Sequence, residues 1–192
     1  MTQIDAARRG EITPQIAQVA KDEFRDPEFV REGVAAGRIA IPANINHPNL
    51  RACGVGEGLR TKVNVNLGIS GDIQDAPQEW EKVAIAEKYG ADAIMDLSNS
   101  GKTRVFRRQL IEKTPLMVGT VPMYDAIGYL ETPLVKLTGD DLLRVVRAHA
   151  EDGVDFMTIH AGFNRRVLDT FMETGRLTNI VSRGGSLLFG WM

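Results

Sequence analysis

The chain has 192 residues, of which 43% are hydrophobic and 25% charged, with 23 Lys and Arg against 25 Asp and Glu. This composition predicts one folded domain with a small appendage and excludes a disordered chain. The single cysteine, Cys53, excludes a disulfide framework or an iron–sulfur cluster held by this chain alone, and the balanced charge argues against nucleic-acid binding. No apolar run is long enough to cross a membrane and the polar N-terminus is unlike a secretory signal, so we expect a soluble, cytoplasmic protein.

Residues 1–57 predict a small N-terminal domain. Short helical patterns occupy residues 6–38, and residues 39–48 read as an extended segment interrupted by prolines. The glycines of residues 54–58 predict a tight loop or hinge. We expect this domain to lead into the main fold over residues 58–192.

Strand and helix patterns alternate through the main fold. Thr138 and Asn164 are predicted helix N-caps, and Gly153 and Gly175 are predicted to end the same two helices. Alternation of this kind predicts parallel strands joined by right-handed helical crossovers. The predicted strands cover residues 61–67, 91–96, 116–121, 154–159 and 178–181.

Chemically capable side chains lie at or just after the carboxyl ends of these strands. They are Asn66, the pair Met95 and Asp96, Tyr124, His160 and the pair Ser182 and Arg183. Barrel enzymes build their sites from this edge, whereas an open doubly wound sheet usually carries a glycine fingerprint after its first strand, and residues 66–71 do not match one. We therefore predict an α/β fold: a partial (β/α)8 barrel of the TIM type, with about five βα units, preceded by the N-terminal domain.

The number of predicted strands is too small for closure. A closed barrel of this type needs eight strands, and the sequence ends on the uncapped apolar run of residues 187–192. A hydrophobic parallel edge is not expected to face water. We therefore expect residues 58–192 to be the first part of a barrel, in a chain that is truncated or split.

Ordered motifs run through nearly the whole chain. They are GVAAGR at 33–38, IPAN at 41–44, GLRTKVN at 58–64, MDLS at 95–98, GTVP at 119–122, EDGVDFMTIH at 151–160 and IVSRGGS at 180–186. This set resembles the N-terminal half of the phosphomethylpyrimidine synthase family, the atypical radical S-adenosylmethionine enzymes of thiamine biosynthesis. It also resembles the related 5-hydroxybenzimidazole synthases of anaerobic cobamide biosynthesis.

The resemblance implies a carbon–carbon lyase that rearranges 5-aminoimidazole ribotide with a radical made from S-adenosylmethionine at a [4Fe–4S] cluster. It also implies a divalent metal, zinc or iron, with the ligands of both metal centres beyond residue 192, and a homodimer or a complementing C-terminal half. It assigns no catalytic residue and no metal ligand to this chain, which we expect to be inactive alone. The implied substrate contacts are Asn66, Met95, Tyr124, His160, Ser182, Arg183 and Gly184.

Several departures from the thiamine-branch motifs bear on the product. Ile69 stands where that branch has threonine, Asp125 where it has glutamine, and Ala161 where it has cysteine. These departures favour formation of 5-hydroxybenzimidazole as the main prediction. The alternatives are formation of 4-amino-5-hydroxymethyl-2-methylpyrimidine phosphate, a non-catalytic half-barrel that binds ribotide or a partner, and an ordinary phosphate-binding barrel enzyme.

Residues 182–186 are the best phosphate candidate on physical grounds. The glycines allow close approach of a ligand, the following helix presents its N–H groups, and Arg183 adds a charged fork. An ordinary turn with a surface arginine is the simpler interpretation. His160 is predicted either to contact substrate or to be satisfied by a backbone carbonyl.

The remaining candidates have equally simple structural interpretations. Asn66 suits a heterocycle edge or a turn, Tyr124 an aromatic wall or a rim, and Met95 reads as core filler. Cys53 is expected to be inert. We expect His47 and His149 to be structural or solvated, and the basic run of Lys102, Arg104, Arg107 and Arg108 to be a solvated helix face.

Overall fold

The computed structural model describes residues 1–72, 75–100, 103–175, 177–178 and 180–192. It shows a mixed α/β chain with a four-stranded parallel sheet. The strands are β1 (Ile39–Ala40), β2 (Val55–Gly56), β3 (Asn64–Leu67), β4 (Ala93–Asp96), β5 (Met117–Thr120) and β6 (Phe156–Met157). The helices are α1 (Gln3–Arg8), α2 (Pro14–Asp22), α3 (Pro27–Ala35), α4 (Ala76–Lys88), α5 (Thr103–Lys113), α6 (Pro122–Leu130), α7 (Gly139–Asp152), α8 (Arg165–Thr174) and α9 (Arg183–Trp191), with a 3-10 turn at Leu134–Lys136.

The N-terminal segment has a hydrophobic cluster of its own. Thr13 and Asp26 cap α2 and α3, each followed by a proline at the first helical position, which explains where these helices begin. β1 and β2 form an antiparallel ribbon beside them. The buried members of the cluster are Ala7, Ile16, Val19, Ala20, Val30, Val34, Ile39, Ile41 and Ala52. The division of the chain at residue 57 stays a prediction.

The four parallel strands are neighbours in chain order, β3-β4-β5-β6. Asn66 lies opposite Met95, Met95 opposite Gly119, and Gly119 opposite Phe156. Because the strands run in one direction, all four carboxyl ends meet at one edge of the sheet. The order shows no reversal of direction among the described strands, in contrast to a doubly wound sheet.

A second hydrophobic cluster lies between the sheet and helices α4 and α5. Ile94 and Val118 from the strands meet Phe106 and Leu110 from α5, and the rings of Trp80 and Phe106 are 5.4 Å apart. Side chains alternate between the two faces of a strand. Met95, next to the buried Ile94, therefore lies on the other face, which it shares with Asn66.

Two strand predictions are wrong in extent. The strand predicted for residues 154–159 is only Phe156–Met157, and the fifth strand, residues 178–181, does not form over its described positions, Asn179 being outside them. A strand exists only through hydrogen bonds to a neighbour, and β6 is too short to offer a ladder to another strand. The described chain thus contains four parallel strands where five were predicted.

The predicted helix boundaries are confirmed. Thr138 forms a capping box with Asp141, Asn164 accepts a hydrogen bond from the N–H of Val167, and Gly153 and Gly175 end their helices with left-handed backbone. No described helix has the length and apolar character needed to cross a membrane.

The prediction of a solvated basic helix face is wrong for Arg107. Its side chain is 1% exposed and forms ion pairs with Asp125 and Asp152. Arg108, by contrast, is 65% exposed, and Lys102 lies outside the described residues. A periodic pattern cannot reveal a buried arginine, because the partners that compensate its charge come from other helices.

Candidate functional site

Five of the seven predicted substrate residues come together where α9 begins. Ser182 caps this helix, and its hydroxyl accepts a hydrogen bond from the N–H of Gly185 at 3.3 Å. Gly184 is buried directly against His160, so that a Cβ at this position would overlap the imidazole ring. The glycine is therefore required by the close approach of the histidine.

The imidazole of His160 also contacts Ser182, the N-cap residue of α9. Nε2 lies 3.4 Å from the hydroxyl of Ser182. Nδ1 is buried and, within the part of the chain that the structure describes, has no hydrogen-bond partner. The ring also lines a small cavity of about 190 Å³ beside Pro122 and Leu188. The alternative prediction, a backbone carbonyl partner for His160, is not met among the described residues, and the buried Nδ1 is left available to a ligand.

Arg183 and Tyr124 form the second contact of this group. Tyr124 lies in the first turn of α6, directly after β5, and the guanidinium of Arg183 sits 5.7 Å from the centre of its ring. Arg183 itself is exposed. A cation stacked on an aromatic ring keeps its N–H edge free for an anion.

Asn66 and Met95 form a separate pair on the sheet. They are opposite each other in β3 and β4, on the face away from the α4 and α5 core. The amide oxygen of Asn66 accepts a hydrogen bond from Asn64 at 2.8 Å. Over the described residues, no side-chain hydrogen bond or ring contact joins this pair to the other five. Met95 is half-buried in this chain, and its interpretation as core filler stays a prediction.

Sequence reasoning missed the buried polar network next to Tyr124. The Asp125 carboxylate accepts hydrogen bonds from Thr103, Arg107 and His149. Burial alone would raise the pKa of Asp125, but the hydrogen bonds from His149 and Thr103 and the charge of Arg107 lower it below its ordinary value. One signal was available: an aspartate in the otherwise apolar segment of α6 needs buried partners.

A second buried carboxyl lies at the end of β4. Asp96 accepts a hydrogen bond from the N–H of Ser98 at 2.9 Å, and Ser98 Oγ accepts one from the N–H of Ile69. Burial raises the pKa of Asp96, opposing these hydrogen bonds. The chain of contacts holds the loop after β3 against the loop after β4, beside Asn66 and Met95.

The donor set of this chain does not fit an iron–sulfur cluster. Cys53 is its only cysteine, and burial, with the nearby charge of Asp92, raises the pKa of the thiol to about 11. A cluster requires several thiolates. In the described ranges, moreover, no group of three or more His, Cys, Asp or Glu side chains is arranged to hold a metal ion.

Fold and site together define an α/β protein whose polar side chains gather at the carboxyl edge of a parallel sheet, against a helix N-terminus. The sequence profile of the Radical SAM ThiC family matches residues 2–192. The chain belongs to this family, as its motifs predicted.

Known relatives agree with this assignment. The chain is 57% identical to a phosphomethylpyrimidine synthase of Clostridium tetani, 56% to one of Pelotomaculum thermopropionicum and 53% to one of Campylobacter jejuni, each over 191 residues. These matches cover 100% of this chain but only 42% or 44% of the relatives. The chain thus spans less than half the length of the proteins it matches. Their names favour the alternative function over the main prediction of a benzimidazole product.

Proposed function

We propose that this chain is the N-terminal part of a phosphomethylpyrimidine synthase of thiamine biosynthesis. Such an enzyme converts 5-aminoimidazole ribotide to 4-amino-5-hydroxymethyl-2-methylpyrimidine phosphate. The observation that carries the proposal is the meeting of Tyr124, His160, Ser182, Arg183 and Gly184 at the start of α9. The identity of 53–57% to proteins of that name supports this product over 5-hydroxybenzimidazole.

The architecture proposed for the whole protein is a (β/α)8 barrel. Four parallel strands in chain order, separated by helices, support this architecture, since a barrel is wound in one direction. In this arrangement Asn66 and Met95 face the barrel interior, and residues outside this chain complete the wall.

The start of α9 is the proposed phosphate site. The capping bond uses the N–H of Gly185, while the N–H groups of Arg183 and Gly184 precede it at the positive end of the helix. Arg183 supplies a charged fork, and Tyr124 holds the guanidinium by its ring. His160 Nδ1 gains a partner when the ribotide binds, which offsets a desolvation cost of about 1–3 kcal/mol.

The role of this chain is to bind and orient the ribotide and to exclude water from one side of it. The [4Fe–4S] cluster, S-adenosylmethionine and a divalent metal are assigned to residues outside these 192, in a homodimer or with a complementing C-terminal half. A cytoplasmic location suits a biosynthetic enzyme of this kind.

Product analysis tests the proposal. The full-length protein is reconstituted anaerobically, reduced and given S-adenosylmethionine and ribotide, and the products are identified by mass spectrometry. Hydroxymethylpyrimidine phosphate is the expected product. Formation of 5-hydroxybenzimidazole would refute the proposed pyrimidine product. Ribotide binding without any product would favour a non-catalytic binding module.

A matched pair of arginine variants tests the site itself. Arg183→Ala is expected to weaken ribotide affinity by about tenfold or more, the loss of one charged hydrogen-bonding group. Arg165→Ala removes an exposed arginine from the first turn of α8 and leaves the affinity unchanged. Isothermal titration measures both, and equal affinities for the two variants would remove Arg183 from the site.

A further inference from the structure

Helix α6 begins without the side-chain cap that starts the three α-helices after it in the chain. Thr138, Asn164 and Ser182 cap α7, α8 and α9 through their side chains. At the N-cap of α6 stands Val121, which makes no side-chain capping bond. Tyr124 lies in this first turn, which is started by Pro122 and by a backbone hydrogen bond of 2.9 Å from the N–H of Tyr124 to the carbonyl oxygen of Val121. These local features begin the helix but do not by themselves join it to the helices on either side of it.

The Asp125 carboxylate supplies such a connection. One oxygen accepts a hydrogen bond from Thr103 Oγ1 at 2.6 Å, and the other lies 3.1 Å from Arg107 Nη1 and 3.0 Å from His149 Nε2. Thr103 and Arg107 belong to α5, and His149 belongs to α7. The carboxylate therefore joins α6 to both flanking helices.

A second set of contacts fixes the donors themselves. Arg107 Nη2 donates to Asp152 at 2.9 Å, and the side chains of Arg107, Asp125 and Asp152 are each no more than 3% exposed. His149 Nδ1 lies 2.9 Å from the hydroxyl of Thr120, the last residue of β5. The network thus reaches the strand end from which α6 departs.

Tyr124 and Asp125 are consecutive, so their side chains leave the helix about 100° apart. Fixing Asp125 with three directional hydrogen bonds fixes the rotation of the first turn about the helix axis, and with it the direction of Tyr124. A well-packed apolar side chain would stabilise the helix contact as well or better but would not set this angle. The guanidinium of Arg183 lies 5.7 Å from the centre of the Tyr124 ring, so the direction of Tyr124 also sets the position of Arg183.

We propose that Asp125, held by Thr103, Arg107 and His149, is a positioning residue that aligns Tyr124 and Arg183 for the ligand of this site. It touches no ligand itself. The proposal rests on the proposed function only in naming that ligand as the ribotide.

A double-mutant cycle in the full-length protein tests this role. Asp125→Asn keeps the size and one acceptor but removes the charge that Arg107 and His149 share. Ribotide affinity is expected to fall by about tenfold, and Tyr124→Ala is expected to weaken it further. In the Tyr124→Ala background, adding Asp125→Asn costs nothing more, because its effect passes through Tyr124. Additive losses, or an unchanged affinity of Asp125→Asn, would overturn the proposal.

Asp92→Asn is the matched control. Asp92 is a buried carboxylate paired with an arginine, Arg60, but it precedes β4 at the opposite edge of the sheet. It is expected to lower the melting temperature and to leave ribotide affinity unchanged. A loss of affinity equal to that of Asp125→Asn would mean that general destabilisation explains both. If Asp125→Asn does not fold, Thr103→Val, which removes one donor and keeps the charges paired, takes its place in the cycle.

Crystal structures of the variants separate the two proposals. In Asp125→Asn, or in Thr103→Val, the Arg183 guanidinium is expected to leave the Tyr124 ring. This outcome supports the positioning role even if the wild-type protein binds no ribotide, which would refute the proposed function alone. An unchanged Tyr124 and Arg183 geometry would refute the positioning role.

Discussion

At the scale of single residues, the hydrogen-bond partners of His47 bear directly on its protonation. Nδ1 lies 2.8 Å from Asp155 Oδ2, and Nε2 lies 2.9 Å from the carbonyl oxygen of Thr114. The Asp155 carboxylate also accepts N–H hydrogen bonds from Asn44 and Val118. Both ring nitrogens lie within hydrogen-bond distance of an acceptor oxygen, an arrangement that favours the doubly protonated ring. Below its folded-state pKa, His47 is therefore a buried imidazolium that connects the N-terminal segment to the sheet.

The stability contributed by His47 is expected to depend on pH. Burial opposes the charged ring, but the hydrogen bonds to Asp155 and Thr114 outweigh it and raise the pKa of His47 above its ordinary value. A raised pKa in the folded state stabilises the protein fully below the unfolded pKa, about 6.5, and the contribution is lost as pH rises through the folded pKa. His47→Gln should therefore lower the free energy of unfolding by about 3 kcal/mol near pH 6 and by less near pH 9, as measured by urea denaturation.

Asn49→Ala supplies the control for His47. Asn49 also joins the N-terminal segment to α5, through a hydrogen bond to the carbonyl oxygen of Glu112, but it does not titrate. Its cost in unfolding free energy should be the same at both pH values. A His47→Gln cost that is independent of pH, or that grows with pH, would contradict the imidazolium.

The sequence alone could not predict the buried hydrogen-bond partners of residues such as His47 and Asp125. The partners of Asp125 are 18 to 24 residues away along the chain, and Asp152 is 45 residues from Arg107. A periodic pattern reports only neighbours within a helix turn or a strand. The sequence predicted buried histidines as one of two options, but the ion pairs that bury Arg107 depend on how three helices pack.

At the scale of elements, local chemistry was predictable and pairing was not. Capping boxes and terminal glycines act over three or four residues, so the ends of α7 and α8 could be read directly. A strand depends on a partner distant in sequence, and the segment 178–181 has β-branched residues but, at its described positions, no neighbouring ladder. The contact between His160 and α9 was predictable only in part. The motif predicted which residues belong to the site, but the close packing of Gly184 on the imidazole ring was seen only in the structure.

The packing of α9 on His160 gives an element-scale prediction. Gly184→Ala adds a Cβ that overlaps the imidazole, so His160 or the first turn of the helix must move. Ribotide affinity of the full-length protein is expected to fall at least tenfold, as measured by isothermal titration.

Gly190→Ala is the control in the same helix. A Cβ at Gly190 meets its nearest atom, on Leu134, at an ordinary contact distance of 3.9 Å. Affinity should be unchanged, and helix propensity favours alanine by up to about 1 kcal/mol. Equal losses of affinity in the two variants would show that the helix as a whole, rather than the contact with His160, is responsible.

At the scale of the whole molecule, the two edges of the sheet differ in chemistry. The carboxyl edge carries His160, Arg183 and the N-terminus of α9. The amino edge carries Cys53, whose thiol lies 3.8 Å from Asp92, in front of β4. Because the thiol is half-buried, with its pKa raised to about 11, it stays protonated near neutral pH. The one cysteine of the chain is therefore at the wrong edge and in the wrong protonation state to serve the proposed site.

This separation predicts the outcome of iron–sulfur reconstitution. A polypeptide of these 192 residues, treated anaerobically with ferrous iron and sulfide and then desalted, should show no [4Fe–4S] signal by electron paramagnetic resonance after reduction, since a cluster needs several thiolates. The full-length protein, treated in the same way, should show the signal, because the family resemblance assigns the cluster cysteines to residues outside this chain. Cys53→Ala in the full-length protein should leave the signal intact. A cluster on the 192-residue chain, or its loss in Cys53→Ala, would show that Cys53 is a cluster ligand. Either result would refute the assignment of the reactive site to the carboxyl edge of the sheet alone.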